Sequence, residues 1–381
     1  MHYEFQSQKN EIKVYYQKLQ DQLKDTRGIC GRKHELAFVI TGFVLAILRS
    51  SDKLSLSKIH RNMVRNHKEL TTKLTSCSEK CISRVQLTRI LNTLDYECFN
   101  NVTAEYFDCE ITSDKWKAID GKELRGSIDG VNGYKRGESI VLSVDHETKT
   151  SQVLGYYSGD KESEKTVIQN FFDSKQDLSG QKFTIDALHN SESLLTNIAG
   201  QNAFYLTQIK SNQKLLLNEI KHITQHLPPC YDTKSIEKGH GRVDEREVFV
   251  YPVNVECLDK RWKKSGISKI IKIKRTRYNC KKKTESVTIS YYVSNFKNND
   301  EELTKAIKEH WTVEVQNHIR DVNLGEDDIK SKYKGIQRSI SSILTAILNG
   351  LQSLNHDNNL RILRENMTYD INKAFQFFAT K

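Results

Sequence analysis

Proline is scarce in this chain. Only three of its 381 residues are proline, and two of them are adjacent at Pro228 and Pro229, so most of the sequence can run as unbroken helix or strand. Tryptophan is equally sparse at three, which leaves little of the aromatic lining expected of a sugar groove and argues against a carbohydrate-cleaving pair of carboxylates. The one long apolar run, LAFVITGFVLAIL from Leu36 to Leu48, is well short of the roughly 20 residues that cross a bilayer. It lies behind the polar stretch QSQKNEIKVYYQKLQDQLKDTRG, too far in for an ordinary signal peptide. The run therefore reads as a buried helix, with no membrane span and no targeting segment expected, in a cytoplasmic protein.

Other signatures are missing as well. The eight cysteines are scattered, without the density of a secreted disulfide scaffold, and fit free thiols in a reducing compartment. CSEKC sets Cys77 and Cys81 one helical turn apart, but no second Cys or His pair stands at zinc-finger spacing. His222 and His226, in HITQH, lack the glutamate of a zinc-protease helix. GVNGYKRG neither follows a convincing strand nor opens a helix, so no nucleotide-phosphate loop, and no ATP, is implied.

What the chain does carry is positive charge. Lys and Arg number 59 against 48 Asp and Glu, a net +11 that favours a polyanion such as double-stranded DNA through release of its counterions. Residues 1 to about 105 show helical periodicity throughout, in EIKVYYQKLQDQL, the apolar run, LSLSKIHRNMVRNHKELTTKL and SRVQLTRILNTLD, and form an all-helical N-terminal module. The Ser-led segment ISRVQLTRIL has the form of a helix that could enter a DNA groove, although a basic helix face is as readily solvated.

From residue 115 the period shortens to that of strands. WKAID, ESIVLSVD and SQVLGYY read as three sequential strands, EKTVIQNFFDSK as an amphipathic helix, QKFTIDALH as a buried strand, NSESLLTNIA as a capped helix and AFYLTQIK as a strand. The order β-β-β-α-β-α-β describes a mixed sheet with helices on its faces, the plan of ribonuclease-H-like nucleases. A second β-rich stretch, residues 228–298, continues or is inserted into this core, and residues 299–381 return to helix. The expected organisation is a helical module, 1–105, and a ribonuclease-H-like α/β domain, 106–381, with a β-rich insertion.

Within that frame Asp120 ends the first strand and Asp186 the fourth, so neighbouring strand ends would bring two carboxylates to one sheet edge. Mg²⁺ is a hard ion that prefers oxygen ligands, and phosphoryl transfer with two such ions needs a third acid from elsewhere. HWTVEVQNH offers Glu314, flanked by Trp311 and His310. Taken singly, an Asp at a strand end is more often a turn residue and a Glu on a helix more often solvated.

AIDGKELRGS, TIDALHN, YLTQIKSNQ, EKGHGRVDER and HWTVEVQNHIRDVNLGEDD, in this order, resemble the motif series of the ISAs1-type insertion-sequence transposases, also called H-repeat-associated proteins. The likeness extends to the helical module and so covers most of the chain. It implies a DDE transposase, named for its three acidic residues, that cuts and joins the ends of a mobile element with Mg²⁺ or Mn²⁺ on a ribonuclease-H-like core and acts as a homodimer. Carried over by motif, the metal-holding acids are Asp120, Asp186 and Glu314. Around Glu314 the chain departs from the family pattern, reading VEVQNHIRDV, without the second Trp and one residue shorter.

Under this resemblance Lys122 and Arg125 are expected to contact the phosphate beside the cut, and His189 to bond a water, the backbone or DNA. Lys210, Asn212, Gln213, His240 and Arg242 would line the DNA groove, and the basic run at 260–283 would contact the DNA backbone. Two alternatives stay open at this point: a catalytically decayed, transposase-derived DNA-binding protein, and a nuclease of the same fold that cuts without joining.

Overall fold

A computed structural model describes residues 11–50, 53–76, 78–109, 114–128, 136–159, 161–175, 177–239, 241–355 and 359–379. The chain divides into two compact units, one built from Met1–Ile111, Gly121–Glu164 and Glu314–Lys381, the other from Thr112–Asp120 and Lys165–Val313. The architecture is mixed α/β: N-terminal helices, then a nine-stranded sheet in the order β3-β2-β1-β4-β5-β9-β8-β7-β6 with its accompanying helices.

In the first unit the N-terminal stretch forms α1 (Glu11–Gln22), α2 (Leu36–Leu48), α3 (Leu56–Leu74), α4 (Arg84–Thr93) and α5 (Tyr96–Tyr106). The long apolar run is α2, and every one of its 13 residues is buried. No helix among the described residues is long and apolar enough to cross a membrane. Side-chain caps fix the starts that the sequence signals: Ser55 accepts from the Lys58 N–H, Ser83 from that of Gln86 and Asp95 from that of Cys98. Leu87, Ile90 and Leu91 form the buried face of α4.

The same unit contains β2 (Glu138–Asp145) and β3 (Ser151–Ser158), paired antiparallel, and the helices α10 (Thr312–Val322), α11 (Lys334–Leu354), α12 (Leu360–Tyr369) and α13 (Ile371–Gln376). Isoleucine and leucine recur along α11 at helical spacing, from Ile336 through Ile340, Ile343, Leu344 and Ile347 to Leu351, and all are buried. These side chains share one core with α2, α4 and the aromatic cluster Tyr15, Tyr106, Phe107 and Phe378. The polar side of α11 meets the hairpin, where Asn349 donates to the Ser151 carbonyl and accepts from its N–H, each at 2.7 Å.

The second unit carries the parallel strands. Its β1 (Trp116–Glu123), which continues into the first unit, pairs parallel with β4 (Lys182–Ile185), and β4 pairs parallel with β5 (Phe204–Ile209). Two-residue alternation gives β4 two faces: Lys182 and Thr184 point toward α9 (Asp300–Glu309), while Phe183 packs edge-on against Phe172 of α6 (Lys161–Ser174). Helix α7 (Glu192–Gly200) joins β4 to β5, and α8 (Lys214–His226) leads out of β5.

Beyond β5 the sheet continues antiparallel through β9 (Thr284–Ser294), β8 (Lys269–Asn279), β7 (Arg242–Pro252) and β6 (Tyr231–Gly239). The β-rich stretch therefore extends the sheet, and only its base is covered, where Val248, Val250, Ile271 and Ile273 lie with Leu303, Ala306 and Ile307 of α9. Farther out these strands become exposed.

Candidate active site

Two carboxylates are aligned by strand register. Ile119 on β1 stands opposite Ile185 on β4, and each is followed by an aspartate, Asp120 and Asp186. Both acids thus occur one residue past the last matched pair; Asp186 directly follows β4, whereas Asp120, expected to end its strand, lies within β1, which runs on to Glu123. The residues before them are buried, which pins the register and with it this placement. On the other side of β4, Ile185 pairs with Thr207 of β5, and Lys210 leaves the end of that strand.

Lys210 places its ammonium 3.4 Å from the Asp186 carboxylate. Burial by itself would raise the Asp186 pKa, but Lys210, the Ala187 N–H and His310 together outweigh it and hold the carboxyl below its ordinary range. His310, at the end of α9, meets the Thr184 hydroxyl through Nδ1 at 2.8 Å. Its own pKa is lowered, first by burial and then by Lys210 and His189, against an opposing pull from Asp186.

The remaining residues of this edge serve the turn after Asp186. His189 is buried within it, facing the protein interior, which leaves no surface for the expected contact with DNA. Asn212 donates to the Ala187 carbonyl at 2.7 Å and Gln213 to the Asn190 carbonyl at 2.8 Å. Read from the sequence as DNA contacts, these two amides instead hold the backbone that presents Asp186.

Lys122 also departs from expectation. It is only 7% exposed, with its ammonium 2.7 Å from Asp321, 3.0 Å from Glu326 and 3.7 Å from Asp327. An ammonium enclosed by three carboxylates is committed to them and does not reach a DNA phosphate. Arg125 is exposed, and its backbone N–H donates to Asp327 at 3.0 Å. Gly121, directly after Asp120, packs closely on the carboxyl of Glu164, which would have to shift to admit a methyl group there. Glu164 is itself buried and accepts from the Tyr157 hydroxyl at 2.6 Å.

Glu314 lies in the first turn of α10 and is exposed, directly after a two-residue step from Trp311, which is 62% exposed. Among the described residues no group of three or more His, Cys, Asp or Glu is close enough to hold a metal ion. The oxygen chemistry of Asp120 and Asp186 nevertheless suits a hard divalent cation, and the ammonium of Lys210 beside Asp186 marks a place where positive charge is stabilised.

Along the exposed part of the sheet, Arg242, Arg275 and Arg277 converge on Asp244 at 3.3, 3.2 and 2.7 Å. Three guanidiniums on one carboxylate leave net positive charge on an open surface. The basic run at 260–283 divides in two: Trp262 is buried, while Lys281, Lys282 and Lys283 are exposed in the β8–β9 turn. His240 lies outside the described residues. Sequence reasoning did not anticipate the bond of His310 to Thr184 or that of Glu164 to Tyr157. His310 was visible beside Glu314 in HWTVE, but its hydroxyl partner is more than a hundred residues away in sequence.

In class, this is an α/β protein in which two acids follow the matched residues of adjacent parallel strands, one of them with a lysine counter-charge. No family model matches the chain. It is 32% identical over 266 residues to "H repeat-associated putative transposase YhhI" of Escherichia coli K12, covering 66% of this chain and 68% of that protein. The same figures hold for "Putative protein YbfL" of that strain. "Putative transposase YncI" of Escherichia coli O157:H7 is 28% identical over 280 residues, 70% of either chain. The chain belongs to the H repeat-associated transposase family.

Proposed function

We propose that this chain is a DDE transposase of an insertion sequence, cutting DNA at the ends of its element and joining them to target DNA on a ribonuclease-H-like core. The observation that carries the reading is the register that sets Asp120 and Asp186 side by side, each directly after the matched pair Ile119 and Ile185 of neighbouring parallel strands, in a sheet whose first five strands run 3-2-1-4-5. Membership of a transposase family supports it independently.

Asp120, Asp186 and Glu314 are the residues that would hold Mg²⁺ or Mn²⁺. Such ions, when bound, supply neutralisation of the charge that develops on the phosphate and polarisation of the oxygens around it. The chain's own groups do the rest. His310, anchored on Thr184, lies within electrostatic reach of Asp186. Lys210 offers an ammonium to a phosphate oxygen at the end of β5. The guanidiniums around Asp244, Arg242 among them, with Arg125 and Lys281–283, hold the DNA backbone without reading sequence.

Cleavage is attack of water on the phosphodiester at the element's end, breaking the P–O3′ bond and freeing a 3′-hydroxyl. In strand transfer that hydroxyl attacks a target phosphodiester. Two ends must be held together, so the working form is a homodimer on double-stranded DNA. The test is excision of a marker flanked by the element's terminal repeats, with donor closure and reinsertion scored by sequencing. The parent protein should excise and reinsert it, whereas Asp120→Ala, Asp186→Ala and Glu314→Ala should still bind the repeats without cutting. Retained cleavage in Asp120→Ala overturns the assignment, cutting without joining makes the chain a nuclease, and binding without cutting by the parent makes it a DNA-binding descendant.

A further inference from the structure

We infer that Lys122, Arg320 and Glu326 form a positioning cluster that fixes the helix carrying Glu314 against the end of the strand carrying Asp120. The inference rests on the assignment of those two acids as the reactive carboxylates.

Lys122 stands two residues beyond Asp120 on β1. Its ammonium is held by Asp321, two turns along α10 from Glu314, and by Glu326 and Asp327 just past the end of that helix. Glu326 is shared: it also accepts from Arg320 of α10, at 2.6 Å from Nη2 and 3.1 Å from Nε. The Arg320 side chain is fully buried, and its remaining donors go to α11, reaching Thr345 Oγ1 at 2.5 Å, Ser341 Oγ at 2.8 Å and the Ser341 carbonyl at 3.1 Å. One hydrogen-bonded path therefore joins β1 to α10 and α10 to α11.

Stability alone does not call for ions here. Desolvating an ion pair offsets much of its attraction, and a well-packed apolar group of the same size often does as well. What the guanidinium fork adds is direction, since its donors are satisfied in one arrangement only. The backbone interlocks in the same place: the Ser331 N–H donates to the Gly126 carbonyl at 3.1 Å, and Gly126 packs so closely on the Ile329 carbonyl that a methyl group would overlap it. The segments that follow β1 and α10 are thereby tied together, and both of the cluster's cations are committed to carboxylates. These are supports for ligand-bearing elements, whose loss in metal sites generally costs 10–100-fold in affinity or activity.

The experiment compares the full-length parent, Lys122→Met and Lys122→Arg in two measurements: hydrogen exchange across the chain, and Mn²⁺ binding followed by the electron paramagnetic resonance of the free ion. Lys122→Met should accelerate exchange selectively at residues 312–316 and at the end of β1, leave α1 to α3 protected, and weaken Mn²⁺ binding about tenfold or more. Lys122→Arg should restore both. Unchanged exchange at 312–316, or uniform acceleration in every helix, overturns the inference and leaves the cluster a stabiliser only. If Lys122→Met does not fold, Asp321→Asn, at the exposed edge of the cluster, carries the same comparison. A parent that binds no Mn²⁺ counts against the carboxylate assignment, while the exchange comparison still decides the cluster's role.

Discussion

Replacing Glu326 by glutamine removes the anion that Lys122 and Arg320 share while keeping the side chain's size. Burial alone would raise the pKa of this fully enclosed carboxyl, but Arg320 and Lys122 more than offset it and hold the value at about 2, against an ordinary 4.5. At about 1.4 kcal/mol per unit, that depression is worth roughly 3 kcal/mol of stability at pH 7. Breaking a buried pair by removing one partner costs about 3–5 kcal/mol, which agrees. Because the folded pKa is the lower one, this stability is present above the unfolded value and is lost as pH falls through the folded one. About 1 kcal/mol should remain at pH 3. Urea denaturation of parent and Glu326→Gln, followed by circular dichroism at both pH values, measures the gap directly. A gap that is the same at pH 3 as at pH 7 would refute the view that ionic contacts, and not side-chain shape, hold this cluster together.

Three further outcomes are expected. Gly126→Ala should cost about 1–3 kcal/mol in the same denaturation assay, because its methyl group meets a backbone carbonyl that cannot rotate away. Trp116→Ala should cost about 3–5 kcal/mol, since the indole is buried against Phe296 and donates to Glu302 at 2.8 Å; a loss below 1 kcal/mol would show that the base of β1 repacks. Arg275→Gln with Arg277→Gln should weaken DNA binding without changing sequence preference and should lower the slope of log affinity against log salt by about 2. An unchanged slope would remove the outer part of β8 from the DNA interface.

The strand and helix order from β1 to β5 was legible because apolar alternation, an amphipathic helix and capping residues follow one another with few competing signals. The positions of Asp120 and Asp186 were legible for the same reason: each closes a buried run. Lys122 was not. A lysine two residues after a candidate site acid in a basic chain reads as a phosphate contact, and nothing local announces that its partners are Asp321, Glu326 and Asp327, some two hundred residues on. Asn212 and Gln213 misled in the opposite way, since polar loop residues read as ligand contacts whether they bind a partner or the neighbouring backbone. Periodicity also could not say what α11 packs against. An isoleucine stripe specifies burial, but the choice of α2 and α4 as its neighbours is a property of the whole chain.

The first unit is assembled from the beginning, the middle and the end of the sequence. During synthesis α2, with all of its residues destined for burial, emerges well before α11, which completes its core. Until then the apolar helix must be sheltered by its immediate neighbours or by chaperones. A chain interrupted after the sheet would therefore expose this helix and be cleared, and would not accumulate as a stable fragment.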